Sequence, residues 1–232
     1  MPDATSTLAF VTLRGGGLFV VDPTTTPMQI LAEYDNTTVH ANGFGGIEAN
    51  GRMYINSGAG GETTNPSEFD IYRFPLSGYA ASNPPNTPAP LLVFSDDAVP
   101  PAHERDAHGL VATNHNRYIW VFDRARNVAE VFDTSSDKHV NTTALEHPSS
   151  EHPTPDLADI SPSENRIFVS LRGPNPLSGS PHAATGSTPG LGVIQVTQGG
   201  KNGELKSVVE ISNVDSAGVE RADTHGIRVR LK

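Results

Sequence analysis

The sequence predicts an all-β fold built from repeated units of four strands. Short apolar or alternating runs recur along the 232 residues, and the turns between them draw on 22 glycines and 19 prolines. Runs of this kind, bounded by turn residues, are typical of strands, and no long amphipathic helical pattern is seen. The motif Asp-x-His-Gly also occurs twice, at residues 106–109 and 223–226, and each copy opens an alternating apolar run. This repetition indicates one structural unit that is used more than once.

Three strands are predicted at the N-terminus, and a second group of four follows. A glycine-rich turn and a Pro/Thr-rich turn separate the first three, which are residues 7–13, 18–22 and 28–34. In the second group, Asn50-Gly51 stands between two apolar runs, which is a strong hairpin signal. The four strands of this group are residues 46–49, 52–56, 69–74 and 91–94.

Two more groups of four strands and one single strand complete the pattern. The third group is residues 108–113, 118–123, 128–133 and 138–145, and the fourth is residues 156–162, 166–171, 191–196 and 205–211. The last strand, residues 225–231, stands alone. If it pairs with the first N-terminal strand, four sheets of four strands close into a ring, and closure removes exposed sheet edges. We therefore predict a β-propeller as a single domain over residues 1–232, with a sandwich or barrel as the alternative.

The repeated units resemble those of the YVTN-type β-propellers. In that repeat, strand a reads His-Gly-Ile-x-Val, a Ser-Pro-Asp-Gly-like turn follows, and strand b is rich in aromatic residues. The matching residues are 108–110 with 118–121, and 160–162 with 167–169. The resemblance covers nearly the whole chain and implies a fold, not an activity. Residues 2–5 resemble an a–b turn without its strand a, so the alternative is a fragment of a ring of about six to eight blades.

Composition excludes several classes of partner. The formal net charge is −10, and no basic stripe is present to neutralise phosphates, which argues against nucleic acid. Because there is no cysteine, neither a disulfide nor a thiolate metal site is available. No apolar stretch approaches the roughly 18 residues that a membrane span needs, and no signal peptide is visible. The nine histidines are the feature that points to chemistry.

Propeller geometry sorts the histidines by loop. If the four strands of a unit are called a to d, two kinds of loop lie on the same face of the ring, because successive strands run in opposite directions. These are the d–a loops, which join strand d to strand a of the next unit, and the b–c loops, which join strand b to strand c. Four histidines fall in d–a loops, one falls in the b–c insertion and two open a strand a. In that order they are His40, His103, His147, His152, His182, His108 and His225. Seven of the nine histidines are thus predicted on one face.

Strand a is innermost in a blade, so the residue that opens it is predicted at the mouth of the central channel. His108, Asp156 and His225 hold this position. Imidazole nitrogen and carboxylate oxygen, at about 2.0–2.2 Å, are ligands that suit Zn²⁺. We predict a metal site of these three residues, with Asp106 and Asp223 orienting the imidazoles. The structural alternative is that the imidazoles bond neighbouring backbone and the aspartates cap turns.

Three further histidines are peripheral metal candidates. His40 lies just upstream of the second unit, and His147 and His152 belong to a loop, residues 146–153, that repeats Glu-His-Pro. Because this histidine-rich loop leads directly to Asp156, we predict that it collects a cation and passes it to the central site. A solvated loop without a metal role is the alternative.

Three arginines follow strand b at matching positions, namely Arg14, Arg124 and Arg172. Guanidinium groups grip carboxylates in bidentate fashion, so these residues are anion-binding candidates on the same face. The alternative is that the consensus of the repeat alone accounts for a polar residue at this position.

The function predicted from these features is metal binding, most simply of zinc, in storage or delivery. The chain is similar to the periplasmic zinc-chaperone propellers that serve zinc ABC importers. That resemblance implies a periplasmic or secreted location, nitrogen and oxygen ligands, and a solute-binding protein as the recipient of the metal. Two alternatives stay open. One is a metal- or histidine-dependent enzyme of the lactonase or lyase type, and the other is a protein-interaction scaffold without chemistry.

Overall fold

Four antiparallel sheets follow one another along the chain. The computed structural model describes residues 1–57, 68–81, 86–97, 105–176 and 184–230, and these residues contain fifteen strands. The first sheet consists of β1 (Ala9–Thr12), β2 (Leu18–Asp22) and β3 (Gln29–Tyr34). The second consists of β4 (Gly46–Ala49), β5 (Arg52–Ser57), β6 (Glu68–Pro75) and β7 (Leu91–Asp97).

The third and fourth sheets each have four strands in sequential order. The third contains β8 (Ala107–Thr113), β9 (Tyr118–Asp123), β10 (Val128–Asp133) and β11 (Lys138–Ala144). The fourth contains β12 (Pro155–Ile160), β13 (Arg166–Leu171), β14 (Gly190–Thr197) and β15 (Asn202–Glu210), with a short 3₁₀ turn at Gln198–Gly200. Every neighbouring pair within a sheet is antiparallel, as expected when short turns join consecutive strands.

The core lies between the sheets, because the middle strands bury both of their faces. In β9, Trp120 packs with the fourth sheet, whereas the adjacent Ile119 packs with the second. In β5, Met53 packs with the first sheet and Tyr54 with the third. Alternate side chains point to opposite faces of a strand, so a continuous apolar run serves two interfaces at once. The predicted all-β propeller of four-stranded blades is confirmed, with the first sheet one strand short.

The ring closure differs from the prediction. Among the described residues, 222–230 form no strand and do not pair with β1. Met1 and Pro2 lie beside β1 instead. The Met1 amino group donates to the Phe10 carbonyl at 2.8 Å, and Phe10 N–H donates to the Met1 carbonyl at 2.9 Å. Asp3 turns the chain back by accepting N–H bonds from Thr7 and Leu8, both at 2.8 Å. The edge of β1 that the C-terminal strand was predicted to use is therefore already occupied.

In the part of the chain that the structure describes, no helix has the length and apolar character needed to cross a bilayer.

Candidate metal centre

The inner strands β8 and β12 of adjacent blades bring His108 and Asp156 together. Gly109 allows this approach, because a Cβ there would overlap the Asp156 carbonyl and lie 2.9 Å from Leu157 Cα. The side chains of His108 and Asp156 are 4% and 0% exposed, and His108 Nε2 lies 3.1 Å from Asp156 Oδ1. Both atoms are buried, and neither makes an aligned hydrogen bond.

Replacing Gly109 by alanine is expected to push β8 away from β12 and to lower the free energy of unfolding by about 1–3 kcal/mol. Urea denaturation measures this change. Gly15→Ala is the matched control, because a Cβ at Gly15 would meet nothing within 4 Å. An alanine at position 109 that is tolerated as well as one at position 15 would show that the close approach of the strands is not needed.

His225 completes the group from the C-terminal part of the chain. Its Nδ1 lies 2.8 Å from Asp156 Oδ2, and its side chain is 43% exposed. One ligand atom from each of His108, Asp156 and His225 lies within 4.8 Å of the others. Ligands at about 2.0–2.1 Å in a tetrahedral zinc site are about 3.3 Å apart, so small side-chain rotations would bring these atoms onto one ion.

Two buried arginines surround this group and pair with three aspartates. Arg124 donates to Asp106 Oδ2 at 2.7 Å and to Asp156 Oδ2 at 3.2 Å. Arg172 donates to Asp156 Oδ2 at 2.6 Å and binds both oxygens of Asp223, at 2.6 and 2.8 Å. Three carboxylates against two guanidinium groups leave one net negative charge, which favours the binding of a cation.

The protonation states suit metal binding. Burial lowers the pKa of the His108 imidazole, although the nearby Asp106 and Asp156 carboxylates oppose that shift. The imidazole is therefore neutral near pH 7, which is the form that binds a metal. Burial alone would raise the pKa of Asp156, but the hydrogen bond from His225 and the nearby positive charge of Arg124 hold it below its usual value. Asp156 is accordingly an ionised ligand.

Several buried polar atoms at the site make no well-aligned hydrogen bond. They are Nδ1 and Nε2 of His108, Oδ1 of Asp106 and Oδ1 of Asp156. Buried polar atoms are almost always bonded, so this concentration calls for an explanation. A cation would satisfy His108 Nε2 and Asp156 Oδ1. Asp106 Oδ1 lies 3.5 Å from His108 Nδ1, where it would orient the ring as predicted.

Phe44 covers the site and was not predicted from the sequence. Its ring stacks on His108 with centroids 3.4 Å apart and planes tilted by 23°, and it lies 6.1 Å from the His225 ring. Asn56 Nδ2 donates to the His108 carbonyl at 2.6 Å and helps to hold the strand. Phe44 lies in an irregular loop outside the apolar periodicity of the strands, so no sequence pattern marks it.

The peripheral histidines do not belong to the three-residue group. His40 Nδ1 pairs with Asp70 Oδ2 at 2.7 Å. His147 Nδ1 accepts from Ser149 N–H at 3.1 Å inside a tight turn, and His152 bonds Ser187 through its backbone. Of the seven histidines predicted on one face, two belong to the possible metal-binding group found among the described residues. They are His108 and His225, and the third member of the group is Asp156. His103 and His182 lie outside the described residues.

The anion-binding role predicted for the arginines needs correction. Arg124 and Arg172 are buried, and their guanidinium groups bind aspartates of the protein, so they do not present a ring for a substrate anion. The physical reason for the correction at Arg124 and Arg172 is that buried guanidinium and carboxylate groups pair with each other. Arg14 is exposed, and its anion-binding role stays a prediction. Asp223 binds Arg172 through both carboxylate oxygens, and its role in orienting His225 stays a prediction.

No protein-family model and no curated protein sequence matches this chain. Solved structures do share its fold. A hypothetical selenium-binding protein from Sulfolobus tokodaii aligns with a TM-score of 0.58 at 12% identity, over 91% of this chain and 51% of that chain. A periplasmic gluconolactonase from Pseudomonas aeruginosa aligns with a TM-score of 0.55 at 13% identity, over 91% and 53%. The Swd1 β-propeller domain from Myceliophteria thermophila aligns with a TM-score of 0.51 at 7% identity, over 85% and 51%.

The chain spans about half the length of these three structures. Identities this low establish the fold and leave the activity open. Fold and site together define a β-propeller protein with a His/Asp group that can hold a metal ion.

Proposed function

We propose that this protein is a zinc-binding β-propeller of the periplasm or the extracellular space that stores or delivers the metal. The main support for the proposal is that His108 Nε2 and Asp156 Oδ1 lie 3.1 Å apart. Both are buried potential ligand atoms, and neither makes an aligned hydrogen bond. His225, at 2.8 Å from Asp156, supplies the third ligand. Zinc is the ion because two imidazoles and one carboxylate form a nitrogen-and-oxygen ligand set that it accepts in tetrahedral geometry.

Storage or delivery is supported by the unequal exposure of the ligands. His108 and Asp156 are buried, whereas the side chain of His225 is 43% exposed. An ion at this site would be held firmly on one side and be reachable from solvent on the other. A solute-binding protein with its own nitrogen and oxygen ligands is the kind of recipient that this arrangement serves.

A second candidate function is metal-dependent hydrolysis of a lactone. Three protein ligands leave one position open on a tetrahedral ion, which is the arrangement that a catalytic zinc needs to activate water. The test is ring opening of a sugar lactone by the zinc-loaded protein, followed as acid release. A rate above that of the His108→Ala variant at the same zinc concentration would favour catalysis, and an equal rate would favour storage or delivery.

Calorimetric titration with Zn²⁺ tests the primary proposal. We expect one site with a Kd below about 10 µM, a binding free energy more favourable than about −7 kcal/mol. The double variant His108→Ala/His225→Ala should show no such site. His115→Ala is the control, because that side chain is 94% exposed on a turn and should not change the titration. Binding that is absent in the wild type, or unchanged in the double variant, would reject the proposal.

A further inference from the structure

The C-terminal segment, residues 222–230, holds His225 differently from the way the strands hold the other two ligands. His108 and Asp156 lie in β8 and β12, each at a register irregularity that is bounded on both sides by paired residues, which are Ala107 and Leu110 in β8 and Pro155 and Ala158 in β12. Within the described residues, the C-terminal segment forms no backbone–backbone hydrogen bond, and the last one before it joins Arg221 N–H to the Asn213 carbonyl.

Side chains attach this segment to the fourth sheet instead. Asp223 binds Arg172, and Thr224 Oγ1 accepts from Gly190 N–H at 2.9 Å. Val229 N–H donates to Asp159 Oδ2 at 2.8 Å. A few side-chain contacts hold a segment less firmly than a strand ladder does, so this segment opens at a lower free-energy cost than the sheets.

His225 itself is bonded to the site in a way that a metal would replace. Its Nδ1 lies 2.8 Å from Asp156 Oδ2, an oxygen that Arg172 also holds at 2.6 Å. The other oxygen of Asp156 stays without a hydrogen bond beside His108. One half of the site, His108 and Asp156, therefore lies in strands, and the other half, His225, lies in a segment held by side-chain contacts.

We propose that His225 is the exchange ligand of this site and that metal binding closes the C-terminal segment onto the propeller. The inference rests on the proposed zinc function. On transfer, the bond between the metal and His225 Nδ1 breaks as a bond forms from a nitrogen or oxygen donor of the acceptor, and no electron is exchanged. The exposure of His225 is what allows the acceptor to approach, because the other two ligands are buried.

Hydrogen exchange followed by mass spectrometry tests the closure. Zn²⁺ should slow exchange of the amides of residues 222–230 by about tenfold or more, while exchange in β8 and β12 changes little. Equal exchange in this segment with and without zinc, in a protein that calorimetry shows to bind zinc, would overturn the inference and leave the proposed function standing. A wild-type protein that binds no zinc would overturn both.

Metal transfer to a chromogenic chelator tests the role of His225. His225→Ala should still bind Zn²⁺, but it should release the ion to the chelator at least about tenfold faster than the wild type. Thr224→Val keeps the ligand and removes a contact that holds the segment, so it should also speed release. His115→Ala is the control and should release at the wild-type rate, because that side chain is 94% exposed on a turn. Wild-type release rates in both His225→Ala and Thr224→Val would overturn the inference.

Discussion

Asp156→Asn is expected to lower the free energy of unfolding by about 3–5 kcal/mol near neutral pH, because it removes the carboxylate shared by two buried arginines. Arg124 and Arg172 both donate to Asp156 Oδ2, and His225 contacts the same oxygen. An asparagine keeps the shape of the side chain but supplies no charge. The same substitution should abolish stabilisation by zinc, which for the wild type should be about 2.7 kcal/mol when the metal is at 100 times its Kd.

Chemical denaturation with and without Zn²⁺ measures both effects on one sample. Asp35→Asn makes the same chemical change in an exposed turn, where the Oδ1 that accepts from Thr37 and Thr38 is retained. That control should change stability by no more than about 0.5 kcal/mol. An Asp156→Asn protein with wild-type stability would show that the arginines do not depend on this carboxylate. An intact zinc effect in that variant would remove Asp156 from the ligand set.

Arg105→Met should destabilise the fold by a similar amount, about 3–5 kcal/mol, since it strips a buried cation from three carboxylates. Arg105 Nε donates to Asp123 at 2.6 Å, another nitrogen donates to Glu130 at 2.6 Å, and a third pairs with Asp96. Methionine fills most of the space but leaves Asp123 and Glu130 buried without their cation. Arg117→Met is the matched control, because Arg117 is exposed and has one carboxylate partner. This substitution should lower the free energy of unfolding by less than about 1 kcal/mol.

The pH dependence of the stability difference between wild type and Arg105→Met provides an independent readout. Burial alone would raise the pKa of Glu130, but hydrogen bonds from His139 and Thr142 and the charge of Arg105 lower it to about 2. A carboxyl group with a lowered folded-state pKa stabilises the protein above its unfolded pKa, and that contribution is lost as the pH falls through the folded pKa. The stability gap between wild type and Arg105→Met should therefore narrow from about pH 5 down to about pH 2. A gap that stays constant over this range would show that Glu130 does not depend on Arg105.

Much of the fold follows from local pattern. The bounds predicted for β9 and β10, residues 118–123 and 128–133, are those observed. β15 begins at Asn202, three residues before the predicted start at Leu205, because a strand ladder continues through polar residues that carry no apolar signal. Residues 225–231 have the pattern of a strand, yet no strand forms in the described part of that range, since Met1 and Pro2 already lie beside β1.

The candidate metal centre was predicted in part. His108, Asp156 and His225 could be selected because repeat register assigns them one position in successive units, and the structure brings them together. The partners of the arginines could not be predicted. Arg124 bridges Asp106 in its own blade and Asp156 in the next, and such a contact depends on how two sheets pack. Arg105 has no repeat signature that distinguishes it from a surface residue.

The sequence by itself determined fifteen of the sixteen predicted strands, their grouping into blades and the placing of His108 and Asp156 near the start of inner strands, because a two-residue periodicity and turn chemistry are local properties. Only the tertiary structure decided which polar groups meet. His40 pairs with Asp70, the arginines pair with aspartates, and Phe44 stacks on His108. Burial drives these pairings, because a charged or polar group removed from water must find its partner wherever the packed sheets place one.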